Sequence, residues 1–274
     1  MTPPQSLLVC TGGSLFAEHA IRMAGMLAAG LPARLTVLAV QDPTDRINVD
    51  EVLARARELL QGRLIQVEYR SRTGHAAKEI MAESEAGYDL SLIGSHGTKG
   101  LMEFFLGDTA VQVVEHLKRP TVIVRPFDEL RRVLLCVQLG KDKPDVVAMA
   151  AAVARAAGAQ LAILYVLPLP IMYGMHARDH VELMDRHPLE TASLQEQARL
   201  IEHRWGIRPE IRLREGIPEE EILQETRESG QDLIVIGSSG RRGVSGLLLG
   251  AFSNIIVKHA PVSVLVVPPL PHGR

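Results

Sequence analysis

The chain is poor in several things. Its 274 residues contain two cysteines and one tryptophan, no apolar run of membrane-spanning length and a net charge of only −2. Two cysteines cannot supply the disulfide framework that staples small secreted domains. No stretch approaches the ~18 consecutive apolar residues of a membrane-crossing helix. Met1-Thr2-Pro3-Pro4 has neither a basic n-region nor an apolar h-region. The expected compartment is therefore the cytoplasm, with no membrane partner. The near-zero charge leaves no nucleic-acid footprint, and the scattered Arg and Lys residues read as solvated surface. No spacing suggests a Ser-His-Asp, Cys-His or paired-carboxylate arrangement, so no catalytic residue is assigned. Enzymatic activity is left open, with the balance against it.

The most informative property present is repetition. Gly94-Ser95-His96-Gly97 is followed, after nine intervening residues, by Gly107, and Gly237-Ser238-Ser239-Gly240, after nine, by Gly250. Gly94/Gly237, Gly97/Gly240, Gly107/Gly250, His116/His259 and Thr121/Val264 all share an offset of 143. Earlier pairs, Cys10/Cys136 and Leu35/Leu161, lie 126 apart, and Arg72-Thr73-Gly74 matches Arg214-Glu215-Gly216 at 142. The second copy thus gains 16 residues between its second and third strands, and one more before its glycine loop. A period this long reads as duplicated domains, since solenoid repeats run ~20–50 residues. The cysteines fall at equivalent points of the first strand of each copy, which predicts two buried structural thiols.

The length suits two domains, each large enough for its own core, and 46% hydrophobic with 23% charged residues is ordinary for a globular chain. The boundary is placed in the polar, Pro-interrupted Arg125-Pro126-Phe127-Asp128-Glu129, giving domains 1–128 and 129–274. Copy one predicts strands at 7–10, 35–40, 65–69, 90–93 and 121–124. Its helices fall at 14–27, capped by Ser14, 50–60, capped by Asp50, 75–86 and 109–117. Copy two predicts strands at 133–137, 161–166, 210–213, 233–236 and 264–267, with helices at 146–157, 189–204, 218–229 and 253–259. Strands alternating with helices imply an α/β fold: two repeated Rossmann-like domains, each a five-stranded mostly parallel sheet flanked by helices. The last strand of each copy is short, apolar and terminal, an edge that needs cover. The two domains are accordingly expected to meet there, about a pseudo-two-fold axis.

Ligands of open parallel sheets bind beyond the carboxyl ends of the strands, at the switch in strand order. Three loops should meet there in each copy, after the first, second and fourth strands. A glycine-rich loop leading into a helix N-terminus suits an anion, because backbone approaches closely and N–H groups point outward. Copy one then offers Gly12, Val40, Gly94, His96, Gly97, Lys99, Gly107, Asp108 and Thr109. Copy two offers Gln138, Val166, Gly237, Gly240, Arg241, Arg242, Gly243, Gly250, Ala251 and Ser253.

These motifs make both copies resemble the universal stress protein family, and the whole chain its tandem-domain branch. The strings Ile93-Gly94-Ser95-His96-Gly97 and 259–267 are close to that family's usual wording. The resemblance covers nearly everything outside the 16 extra residues. It implies an adenine nucleotide α-hydrolase-like fold and a stress-response protein that binds ATP or another adenine nucleotide in at least one domain, without strong catalysis. The family's motif is Gly, two residues, Gly, nine residues, Gly, then Ser or Thr, with an Asp ending the first strand. This chain departs from it at four places: Gly12 and Gln138 replace the Asp, and Asp108 and Ala251 replace the Ser or Thr. Asp108 at a helix N-terminus is expected to repel a polyphosphate, by about 4 kcal/mol at ~4 Å and an effective dielectric of ~20. Ala251 merely lacks a hydroxyl, a loss of roughly 1 kcal/mol. Copy two, with two arginines in its loop against Lys99 alone, is the favoured site. The alternatives are a nucleotide-free scaffold or partner-binding protein that keeps the fold, and, less favoured, a slow ATPase or adenylating enzyme.

Weaker signals read structurally. Thr11-Gly12-Gly13-Ser14 lacks the Asp-Ser that would complete a pyrophosphatase loop. His176 and His180, four apart with His187, Asp179 and Asp185 nearby, lack a firm third ligand, so no metal is expected. His116 and His259 suit helix C-terminal capping, and Trp205 suits packing. The apolar insertion within 168–188, with Ile171, Met172, Tyr173 and Met175, is expected to lid the copy-two cleft or to pack on a partner subunit. Besides the pseudo-dimer within one chain, further homodimerisation and an unknown protein partner stay open.

Overall fold

The computed structural model describes residues 3–43, 47–95, 106–116, 118–140, 144–168, 180–238, 242–243, 246–247 and 250–269. Copy one comprises β1 (Ser6–Thr11), α1 (Leu15–Gly30), β2 (Arg34–Gln41), α2 (Val49–Leu60), β3 (Val67–Thr73), α3 (Ala76–Ser84), β4 (Leu90–Gly94), α4 (Asp108–Glu115) and β5 (Thr121–Val124). Copy two comprises β6 (Arg132–Val137), α5 (Pro144–Ala157), β7 (Gln160–Pro168), α6 (His180–Arg186), α7 (Pro188–Trp205), β8 (Glu210–Gly216), α8 (Pro218–Glu228) and β9 (Leu233–Gly237). It continues with a two-residue hairpin, β10 (Arg242–Gly243) and β11 (Gly246–Leu247), then α9 (Ala251–His259) and β12 (Ser263–Val267).

The ten long strands form one sheet in the order β3-β2-β1-β4-β5-β12-β9-β6-β7-β8. In this sheet the pairs within each copy are parallel, and β5 and β12 run antiparallel to each other; the separate β10–β11 hairpin is antiparallel as well. The expected interface is therefore a shared sheet. Its register identifies the pseudo-dyad: Val122 pairs with Leu265, its own repeat equivalent, while Thr121 pairs with Val266 and Ile123 with Val264. An isologous contact has this self-complementary pattern.

Alternation along the buried strands fills two layers. Leu7, Val9, Leu90 and Leu92 join α1, α2, α5 and α7 on one face. Leu8, Cys10, Ile93, Ile234 and Ile236 join α3, α4, α8 and α9 on the other. Both layers run through both copies.

Local chemistry sets the element ends. Ser14 Oγ accepts from Ala17 N (3.2 Å) to start α1. The cap of α2 is Asn48 rather than Asp50: its Oδ1 accepts from Asp50 N (3.1 Å) and Glu51 N (3.4 Å), and its amide donates back to Glu51 Oε1 (2.8 Å). The third strand is 67–73 rather than 65–69, because this edge strand alternates charged residues and lacks the apolar run that marks the others. Helix α6 lies in the insertion, where none was expected. Of the apolar insertion, residues 169–179 lie outside the described residues.

Candidate functional site

Each copy has a cavity at the C-terminal ends of its first, second and fourth strands, the switch point of its half-sheet. The copy-two cavity measures about 270 Å³ and the copy-one cavity about 110 Å³. Ligand pockets span roughly 300–1,000 Å³, so copy two approaches that range and copy one does not. The difference has a backbone cause. A Cβ on Gly94 would lie 2.9 Å from Ala17 N and from the Phe16 carbonyl carbon, so α1 presses on the end of β4. A Cβ on Gly237 would meet only a methyl of Val146, at 3.2 Å. Helix α5 stands further off and leaves room.

In copy two, Gln138, Val166 and Gly237 line the cavity together with Leu139, Val146, Tyr165, Pro168, Pro218, Ile222 and Phe252. Ser253 is buried beneath it, its hydroxyl donating to the Gly237 carbonyl (3.3 Å). Gly250 is the N-cap of α9 and Ala251 its exposed first residue; neither supplies a side-chain cap. Arg242 and Gly243 lie in the hairpin strand β10. Gly240 and Arg241 lie outside the described residues.

In copy one, Gly12, Val40, Gly94 and Thr109 line the cavity with Asp42, Ile47 and Ala76. Gly107 is the N-cap of α4, and Asp108, its first residue, is exposed rather than turned into the cavity lining. His96, Gly97 and Lys99 lie outside the described residues. The carboxylate that does line this cavity is Asp42, whose Oδ2 accepts from Ala76 N (3.1 Å) at the start of α3. An anion already occupies that helix N-terminus. Copy two has Pro168 at the matching position, and α8 opens with Pro218, which has no N–H to satisfy. Ala76 and Pro218 escaped the sequence reading because the turn between the third strand and its helix was left out of the site; Asp42 and Pro168 fall at the end of the second strand, whose loop was counted without naming them as site residues, and Tyr165 and Phe252 lie within β7 and α9. That turn also ends at the carboxyl edge of the sheet, and it brings Ala76 to Asp42 in copy one and Pro218 to the cavity that Pro168 lines in copy two.

The cysteines call for a correction. Cys10 is buried, but Cys136 is half-buried, and both line their cavities. They stand one residue before the ends of β1 and β6, facing the α3–α4 and α8–α9 layer. Burial pushes both thiols well above the usual range, and Glu83 and Glu225 push the same way, so neither is a ready nucleophile.

Behind each cleft lies a duplicated ion-pair ladder. Glu83 on α3 is buried and takes Arg70 (2.7 Å) and Arg72 (2.8 Å) from β3 and the Tyr88 hydroxyl (2.9 Å). Glu225 on α8 takes Arg212 and Arg214 from β8, and His180 from α6 at 3.3 Å. Burial raises both carboxyls, but these donors outweigh it and hold them below the usual carboxylate value. His187 Nε2 lies 2.5 Å from Glu215 Oε1. No group of three His, Cys, Asp or Glu side chains is arranged for a metal ion among the described residues. His116 accepts the capping role, its Nδ1 lying 3.0 Å from the Gln112 carbonyl oxygen, and Trp205 packs into the core at the end of α7.

Comparison with known proteins agrees with this architecture. The model of the universal stress protein family matches residues 4–125 and again 129–268. A universal stress protein of Methanocaldococcus jannaschii is 29% identical over 117 residues, 42% of this chain and 68% of its own. One from Synechocystis is 22% identical over 300 residues, covering 95% of this chain and 99% of its own. A solved universal stress protein from Archaeoglobus fulgidus superposes with a TM-score of 0.72 over 96% of this chain and 98% of its own, at 23% identity.

Proposed function

The chain belongs to the universal stress protein family, and we propose that it binds ATP or another adenine nucleotide in domain 129–274, as a cytoplasmic stress-response protein without strong catalysis. The observation that carries this reading is the inequality of the two cavities. The copy-two cleft is the larger, is walled by Tyr165, Phe252 and aliphatic side chains suited to a base, and has the Gln138 amide at its rim. In the sequence the glycine loop with Arg241 and Arg242 follows β9, whose Gly237 lines this cleft. In this reading Gln138 hydrogen-bonds a ribose hydroxyl, and the α9 N-terminus faces the phosphates.

Copy one favours the second reading, a domain that keeps the fold without the ligand. Its cavity is small, and Asp42 puts a carboxylate in the wall. Asp108 adds charge from an exposed position, where solvent weakens the repulsion estimated for a site group.

Isothermal titration with ATP and AMP tests both. Gly240→Asp is expected to weaken binding at least tenfold, Gly97→Asp to change it little, and Asp108→Ser to raise any affinity of copy one. Binding lost with Gly97→Asp and untouched by Gly240→Asp would assign the wrong copy. An absence of binding in every variant favours the scaffold.

A further inference from the structure

Copy two has 16 residues that copy one lacks, and α6 closes that insertion with a histidine at its first position and another just beyond its last. His180 Nδ1 lies 2.8 Å from the Leu213 carbonyl oxygen on β8, and its Nε2 3.3 Å from Glu225 Oε2 on α8. Both partners are acceptors. A neutral imidazole has one N–H and one lone pair, so one ring nitrogen would face an acceptor with a lone pair. Only the imidazolium satisfies both contacts. His187 meets Glu215 Oε1 at 2.5 Å, and that carboxylate is 4% exposed. Copy one has the same Glu–Arg ladder without either histidine: the third donor to Glu83 is the neutral Tyr88 hydroxyl, and Thr73 stands where copy two has Glu215. The contacts of both histidines are therefore confined to copy two, and only that of His180 requires the second ring proton. They also adjoin its cleft. Glu225 follows the cavity residue Ile222 by one helical turn, and Glu215 pairs across the ladder with Leu167, next to the cavity residue Pro168.

We propose that α6 is a proton-operated clasp: the imidazolium form of His180 holds it against β8 and α8, beside the His187–Glu215 contact, and its release at alkaline pH loosens the wall of the copy-two cleft and weakens ligand binding there. The coupling to ligand rests on the nucleotide reading of that cleft; the clasp itself does not.

The charged surroundings are accounted for element by element. From β8 come Arg212, Arg214, Glu210 and Glu215; from α8 come Glu225, with Glu221 and Glu228 held by Arg214. Helix α7 contributes the Thr191 hydroxyl, donating to the Met184 carbonyl (3.0 Å), and its Glu190 makes no ion pair with α6 among the described residues. On α6 itself, Glu182 pairs with Arg186 (3.7 Å). The hydrogen bond to Glu225 raises the His180 pKa above its ordinary 6.5; burial opposes, and the Leu213 carbonyl adds to the rise. A raised folded-state value means that the stabilisation is full below pH 6.5 and is lost as pH climbs through the folded value.

Hydrogen exchange on the full chain, corrected for intrinsic rates, tests this at about pH 6 and pH 9, bracketing the imidazole range. Protection of the 181–186 amides is expected to fall on the order of tenfold or more at the higher pH, the worth of one charge-assisted hydrogen bond. His180→Gln with His187→Gln should be poorly protected at both values, with unchanged Trp205 fluorescence showing that the fold persists. Equal protection of the wild type at both pH values, or an unaltered pH dependence in the double variant, overturns the clasp. Titration with ATP at the same two values should show weaker binding at pH 9 in the wild type only. Equal affinity alongside changing protection overturns the coupling. Failure of ATP to bind at either pH instead counts against the nucleotide reading, while the exchange result still decides the clasp.

Discussion

Glu225 shows how one residue can hold a domain edge together. Its side chain is 1% exposed and is met by Arg212, Arg214 and His180. Removing one partner of such a group leaves the others buried and unpaired, which costs far more than the pair itself is worth. Glu225→Ala should therefore lower unfolding stability by about 3–5 kcal/mol at neutral pH, measured by urea denaturation. The pH dependence has a definite sign. With its folded-state pKa depressed below the ordinary 4.5, Glu225 contributes stability above that value and loses it as pH falls further. The wild type should thus lose stability on acidification, and Glu225→Ala should lose less, since it has less to lose. A variant that matches the wild type at neutral pH would remove Glu225 from this role. The ladder was visible in the sequence as Glu68, Arg70, Arg72, Glu79 and Glu83 repeating 142 residues later, yet charged residues read there as solvated surface. Spacing cannot tell a paired, buried carboxylate from a wet one.

Among the elements, helices α1 and α5 carry the second contact across the pseudo-dyad. Gly30 of α1 meets Ala156 of α5, its own repeat equivalent at offset 126. A Cβ on Gly30 would stand 2.6 Å from the Ala156 Cα and 2.7 Å from its carbonyl carbon, and backbone cannot yield as a side chain can. Gly30→Ala, ordinarily a favourable change in a helix, should here destabilise by about 1–3 kcal/mol, the usual cost of overpacking. A thermal midpoint that drops by several degrees supports the close crossing; one that rises refutes it. Most elements were legible beforehand because buried parallel strands are continuous apolar runs. The ones misplaced have physical reasons: β3 hides its strand period behind charges, α2 starts at an Asn that competes with Asp50, and α6 depends on contacts with β8 and α8 that no local pattern announces. Within the site, Gly12, Val40, Gln138 and Val166 were legible from strand ends alone. Asp42 and the inequality of the cavities were not, since they follow from how closely α1 and α5 approach the sheet.

At the scale of the whole molecule, duplication has ended in fusion rather than in two beads on a string. β5 and β12 close one ten-stranded sheet, and both side-chain layers continue from copy to copy. Arg125 stiffens the seam from within. Its backbone N–H donates to Ser263 Oγ (3.1 Å), and its guanidinium to the Val257 carbonyl (3.2 Å) at the end of α9, where a cation suits the helix dipole. Burial pulls its pKa down, but the contact with the α9 carbonyls repays part of that desolvation. A shared core predicts shared unfolding. Trp205, the sole tryptophan, lies in copy two and reports on that copy alone, whereas far-ultraviolet circular dichroism reports on both. In urea the two signals should give coincident midpoints, the signature of a cooperative transition. Arg125→Leu should shift both together, because the seam it leaves belongs to neither domain. A tryptophan transition displaced from the circular dichroism transition would show that the copies unfold independently, and that the continuous sheet does not couple them.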